Sequence, residues 1–156
     1  MKVVVDLGCV ERNGADSLAV LAREYEPDFI YGFDPSPLLN EEMPTINGVP
    51  CTLRRRAAWV EDGRCGFHES GSGSRIGPGD DVECFDFSAW LRELKETADE
   101  VVVKMDIEGV EKALVTQLID QRTDLLIDEL LIEWHDPAWR AELEGLLSCP
   151  LRQWWL

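Results

Sequence analysis

Two valine runs constrain this chain more than any other feature. Val3-Val4-Val5 leads into Asp6-Leu7-Gly8, and Val101-Val102-Val103 leads into Lys104-Met105-Asp106. A half-solvated strand alternates apolar and polar residues. An unbroken β-branched run instead suits a strand covered on both faces, as in a parallel sheet packed between helices.

The segments between these runs have the matching helical period. Leu18, Leu21, Ala22 and Tyr25 form one helix face, opened by Gly14 and ended by Pro27. Phe29 to Phe33 reads as a second strand, and Ser36-Pro37 as a cap with proline at the first helical position. Cys51 to Trp59 reads as a third strand. Asp62-Gly63 then predicts a hairpin returning through Arg64 to Glu69, and Ser70 to Gly79 a flexible loop that could act as a lid. Val82 to Phe87 reads as a short strand, and Ser88 caps a helix bearing Trp90, Leu91 and Leu94. Glu108 to Ile119 is predicted as a helix with Val110, Ala113, Leu114 and Leu118 inward, and Leu125 to Trp134 contains a buried strand. Asp136-Pro137 starts a helix with Leu143, Leu146 and Leu147 on its apolar face, and Leu151 to Leu156 closes the chain as a strand. This alternation predicts one α/β domain over residues 1–156, doubly wound around a mostly parallel sheet.

In such sheets ligands bind beyond the carboxyl ends of the strands. The strand ends here are Asp6-Leu7-Gly8, Asp34, Ala57-Ala58-Trp59, Asp106-Ile107-Glu108-Gly109 and Glu133-Trp134-His135. Four of these five carry a carboxylate, a group that disfavours strands and resists burial. A capping role is the alternative for Asp6 and Asp34. The first turn, with only Gly8 and Gly14 around a gap containing Glu11, is poor for a pyrophosphate, which needs G-x-G-x-x-G. An acidic turn suits the sulfonium of S-adenosylmethionine, with Asp34 placed for the ribose hydroxyls. Tight NAD binding would revive a dinucleotide oxidoreductase.

The block Val101 to Leu118, with K-x-D-x-E-G-x-E from Lys104 to Glu111, resembles the signature of FkbM-type methyltransferases. Val3 to Gly8 and Phe33 to Pro37 are similar to that family's first and second cofactor motifs. Ala57-Ala58-Trp59 with Glu61-Asp62-Gly63 is similar to its adenine-side strand and turn, and Ile132 to His135 to its later acidic strand end. The resemblance covers most of residues 3–135. It implies a Rossmann-like class I methyltransferase fold, here shortened at the C-terminus, and O-methylation of a sugar or natural-product-like hydroxyl. Asp6, Gly8, Asp34, Ala58 and Asp62 would then lie near the cofactor, and Asp106, Glu108, Glu133 and His135 near the acceptor. The first turn departs from the family, since Cys9 to Asn13 stands where a shorter segment is expected. A non-catalytic cofactor-binding or assembly subunit is the rival reading.

A weakly acidic hydroxyl needs a base, a metal, or both. His135 has a suitable pKa for the base, with capping the following helix as its alternative role. Asp106, Glu133 and His135 could instead bind Mg2+ or Mn2+. Lys104 shares a strand face with Asp106 and is expected to pair with it.

The net charge of -16 disfavours nucleic acid and anionic membrane as partners. Arg54, Arg55 and Arg56 form one basic cluster, either a solvated strand edge or a local anion contact. The five cysteines are scattered without a C-x-x-C pair and no leader precedes the first strand, so reduced thiols and a cytoplasmic location are expected. An exposed last strand edge would be relieved by a homodimer or by a tail carrying Trp154 and Trp155.

Overall fold

The structure, a computed structural model, describes residues 1–10, 16–70 and 73–155. In chain order the elements are β1 (Lys2–Leu7), α1 (Ser17–Tyr25), β2 (Phe29–Phe33), β3 (Thr45–Ile46), β4 (Val49–Arg54), β5 (Ala57–Trp59), β6 (Gly63–Ser70) and β7 (Gly73–Asp86). They continue with α2 (Phe87–Lys95), β8 (Glu100–Met105), α3 (Glu111–Gln121), β9 (Glu129–Ile132), α4 (Pro137–Leu143) and β10 (Leu151–Gln153). Seven strands form one sheet in the order β10-β9-β8-β1-β2-β4-β3, parallel throughout except for β3 against β4. The other three form a small sheet in the order β5-β7-β6.

The valine runs sit at the centre of the large sheet. β1 and β8 pair in register, Val3 with Val101 through Leu7 with Met105. Their odd residues, with Leu130 and Ile132, pack on Leu91 and Leu94 of α2 and Leu114 and Leu118 of α3. Val4, Val102 and Leu131 face the other way, onto Leu18 and Leu21 of α1 and onto Trp154. Helices on both faces make the arrangement doubly wound and Rossmann-like, as the valine runs require. Burying each valine side chain contributes about 1.5–3 kcal/mol, so this central pair anchors the fold.

One polar pair interrupts that core. Asp6 and Lys104 lie opposite each other in the β1–β8 register and are both completely buried. Lys104 Nζ lies 2.9 Å from Asp6 Oδ1 and donates to the carbonyl of Gly8 at 2.7 Å. Ser17 Oγ donates to Asp6 Oδ2 at 2.5 Å, which ties in the start of α1. The Trp154 ring lies 5.8 Å from the ammonium. Lys104 therefore pairs with Asp6 first; the Asp106 carboxylate expected as its partner is 3.9 Å away.

Several local expectations are corrected. Ser36-Pro37 starts no helix: Ser36 Oγ accepts from Leu38 N at 3.2 Å and Leu39 N donates back to the Ser36 carbonyl, which makes a turn. The expected third strand is two strands, because the chain leaves the large sheet after Arg54 and joins the small one at Ala57. The segment beyond Asp62-Gly63 does return as β6, but it pairs with β7 rather than β5. β7 also takes most of the predicted glycine-serine loop, so a plain mobile lid is not what Gly73 to Gly79 forms; Gly71 and Ser72 lie outside the described residues. Antiparallel pairing with β6 overrides the poor strand propensity there. The ladder jumps from Cys65–Val82 to Gly66–Gly77, and this bulge accommodates Pro78.

At α2 the cap is Asp86, which accepts from Ala89 N, while Ser88 is buried 2.5 Å from the Thr123 hydroxyl. α3 starts at Glu111, three residues later than predicted, since Glu108 and Gly109 have φ of +31° and +84°. A single 3-10 turn, Thr123–Leu126, precedes β9. α1 is capped by Asp16, and the expected opening Gly14 lies outside the described residues. Asp136 and Pro137 start α4 as predicted, but α4 stops at Leu143 and Leu146 is exposed. Trp154 is buried in the α1-side core and Trp155 is 71% exposed. Two of the three clustered arginines are paired, Arg55 with Glu41 and Arg56 with Glu83, each at 3.1 Å, and Arg54 donates to the Leu53 carbonyl. No helix among the described residues is long and apolar enough to cross a membrane.

Lys104→Met leaves the Asp6 carboxylate buried without its cation. It is expected to destabilise the fold by about 3–5 kcal/mol, measured by urea denaturation. The double variant Lys104→Met/Asp6→Leu should recover much of that loss. A single variant as stable as the parent would show that the pair carries no such constraint.

Candidate active site at the strand ends

The register aligns the strand ends. Phe33, Leu7, Met105 and Ile132 form one row across β2, β1, β8 and β9. Asp34, Gly8, Asp106 and Glu133 therefore emerge side by side. The backbone ladder continues into that row: Gly8 N donates to Phe33 O, Asp106 N to Leu7 O and Glu133 N to Met105 O, at 2.9–3.0 Å. Gly8 has φ +79°, and a Cβ there would lie 1.8 Å from the Asp106 carbonyl oxygen, so the crossing of β1 over β8 admits only glycine.

Asp34 is almost completely buried at the end of β2. Its Oδ2 accepts from Val10 N at 2.9 Å and its Oδ1 from Ser36 N at 2.8 Å, so it latches the first turn to the turn after β2. Burial raises its pKa against these two hydrogen bonds. Glu11, on which the acidic-turn expectation rests, lies outside the described residues. Ala58 is buried in the same apolar cluster as Phe33. Asp62 accepts from Asp86 N at 3.0 Å, which ties the turn after β5 to the cap of α2.

On the other side of Gly8 three acidic groups surround one imidazole. His135 follows β9, and its Nδ1 hydrogen-bonds Glu111 Oε1. Its Nε2 faces Glu108 Oε1 at 3.1 Å and Asp106 Oδ1 at 3.4 Å. Glu111 is fully buried in the first turn of α3, and its second oxygen accepts from Gly109 N at 3.0 Å. Helix α3 has no side-chain cap from Val110, so this carboxylate also serves the helix start. Glu133 leaves the sheet beside Asp106.

The ionisation of these groups is shifted together. Burial raises Asp106 to about 7, Lys104 opposes the rise, and Glu133 adds to it. Burial also raises Glu108, against His135. Burial works against charge on His135, yet Glu111, Glu108 and Asp106 lift its pKa to about 9. The cluster thus holds a proton near neutrality and can exchange it with a hydroxyl. One ligand atom from each of Asp106, Glu108 and His135 lies within 4.8 Å of the others. Glu108 takes the place in this group that the sequence reading gave to Glu133.

Glu111 was given no role from sequence, although it is the last residue of the K-x-D-x-E-G-x-E block. Its spacing from Glu108 and Gly109 is the signal that could have found it. A groove of about 340 Å3 lies elsewhere, on the small sheet beside Trp59 and Pro78. Its one charged side chain, Arg64, already donates to the Asp80 and Asp81 carbonyls. Comparison with known proteins finds no matching family, no matching curated protein and no matching solved structure.

The His135–Glu111 contact makes stability depend on pH. The folded pKa of about 9 lies above the ordinary 6.5, so the contribution is fully present below pH 6.5 and is lost as pH rises through 9. The rise of Asp106 acts in a lower window, from 3.8 to about 7. Melting temperatures in EDTA should fall between about pH 7 and 9.5 in the parent and fall less in Glu111→Gln. Equal slopes would show that Glu111 does not hold the proton on His135.

Proposed function

We propose that this chain is an S-adenosylmethionine-dependent O-methyltransferase acting on a hydroxyl of a sugar or another small acceptor. The observation that carries the reading is the row itself: a glycine-only crossing at Gly8, with Asp34 on one side and the Asp106–Glu108–His135–Glu111 cluster on the other. The donor set fits a sulfonium cofactor, because carboxylates favour a cation and would repel a pyrophosphate. S-adenosylmethionine would supply an electrophilic methyl group there.

The chain's own groups divide the remaining work. Gly8 lets the ends of β1 and β8 lie against each other and so sets the cofactor turn beside Asp106, and Asp34 offers its remaining lone pairs to ribose hydroxyls. Asp6 acts at one remove, holding Gly8 through Lys104. Ala58 and Asp62 form the adenine side of the same reading. His135, held by Glu111 and facing Asp106 and Glu108, positions the acceptor hydroxyl, and Asp106, with its pKa raised to about 7, takes its proton. A glycan hydroxyl fits this assignment because it needs such help to ionise. A small homodimer across the β10 edge is compatible with it.

One observation favours a second reading, the non-catalytic cofactor-binding or assembly subunit: both Asp34 oxygens already serve the backbone. Isothermal titration with S-adenosylhomocysteine separates the two. The catalytic reading expects micromolar binding, about tenfold or more weaker in Asp34→Ala at unchanged fold, and a His135→Gln variant whose methyl transfer is slower by about 10²–10⁴. No binding by the parent protein would remove the methyltransferase reading.

A further inference from the structure

We infer that Asp106, Glu108 and His135 form a site for one divalent cation of the Mn2+ type, with Glu111 as its outer support. Two carboxylate oxygens and one imidazole nitrogen converge from two chain segments, the turn after β8 and the turn after β9, within 4.8 Å of one another. His135 Nε2 lies 3.1 Å from the Glu108 oxygen and 3.4 Å from the Asp106 oxygen, separations that one ion at the usual distances of about 2.0–2.2 Å can bridge.

The imidazole is what points to a metal rather than to acidic crowding. Glu111, fully buried, engages Nδ1 and fixes the ring. Protonated, the ring donates Nδ1–H to Glu111 and presents Nε2–H to the oxygens of Glu108 and Asp106. The space between Nε2 and the two carboxylates is therefore a cation's place, which a divalent ion can take over from the proton. A carboxylate on the far nitrogen is also the arrangement that orients histidine as a metal ligand. One imidazolium would face three carboxylates, those of Asp106, Glu108 and Glu111. A divalent ion meets more of that charge than a proton does.

The donor set selects among ions. Two oxygens and one nitrogen suit Mn2+ better than Mg2+ or Ca2+, which prefer oxygen alone, and no thiolate is present to favour a soft metal. The turn between the ligands is fixed: Glu108 has φ +31°, Gly109 φ +84°, and Gly109 N donates to Glu111. The site needs no large rearrangement to close on an ion.

Cation binding stands apart from the methyl-transfer reading, because Mn2+ affinity and S-adenosylhomocysteine affinity are measured separately. The test is Mn2+ titration of the full chain followed by electron paramagnetic resonance, at about 0.15 M salt to screen the acidic surface. One equivalent is expected to bind saturably. Glu108→Gln and Asp106→Asn should each weaken it about tenfold or more, while His68→Ala leaves it unchanged. Glu108 is 37% exposed, so its variant keeps the fold even if Asp106→Asn does not. Absence of saturable binding in the parent, or binding that Glu108→Gln leaves intact, would overturn the assignment.

Discussion

The buried pair of Lys104 and Asp6 is the interaction on which the rest of this structure depends. The valines beside it cannot set their own register. A strand that is apolar on both faces loses little when it slips by one residue, because valine replaces valine. Slipping β8 against β1 would instead carry Lys104 away from Asp6 and leave two charges buried apart, which is far more costly than any exchange of methyl groups. The ion pair thus contributes specificity where the hydrophobic core contributes stability. It also reaches beyond the two strands, since Ser17 brings in α1, Gly8 brings in the first turn, and Trp154 lies over the ammonium.

Fixing that register also fixes the site. Once Leu7 is opposite Met105, Gly8 and Asp106 must leave the sheet together, and Glu133 follows beside Asp106. Within the octet from Lys104 to Glu111 each position then has a distinct task. Lys104 points into the α1-side core, and Asp106 stands at the strand tip. Glu108 and Gly109 reverse the chain with positive φ, and Glu111 turns back from the first turn of α3. One carboxylate, that of Glu111, both ties down the turn that leads into α3 and holds His135. The shape of that turn and the orientation of the imidazole are therefore coupled.

Periodicity made the large sheet, its two helical layers and the strand-end carboxylates legible in the sequence, because burial on both faces writes itself as runs of valine and leucine. The small sheet was legible only in pieces: β6 and the end of β7 read as strands, but their pairing did not. The first half of β7 carries three glycines and a proline, and it becomes a strand because β6 lies beside it. A pairing of that kind is a tertiary fact, and no window of sequence contains it. Ser36-Pro37 failed for a related reason: the signal for a helix start was present, but Asp34 and Ser36 spend their hydrogen bonds on a turn. In the site, Asp106 and His135 were visible as strand-end residues. The partners of each were not, because Lys104 chose Asp6 across the sheet and His135 chose Glu111 from a neighbouring helix.

Charge limits what such a site can handle. The protein carries -16 overall, and three of its carboxylates gather around His135 at one point of that field. The summed potential draws cations toward the strand ends and slows the approach of anions. A sulfonium cofactor and a divalent metal are both favoured by it, whereas a phosphorylated or carboxylated acceptor would be opposed on entry. Under the proposed reading the acceptor is therefore a neutral hydroxyl compound. Its recognition rests on hydrogen bonds to the carboxylates of Asp106 and Glu108, groups well matched to the hydroxyls of a sugar and poorly matched to any second anion.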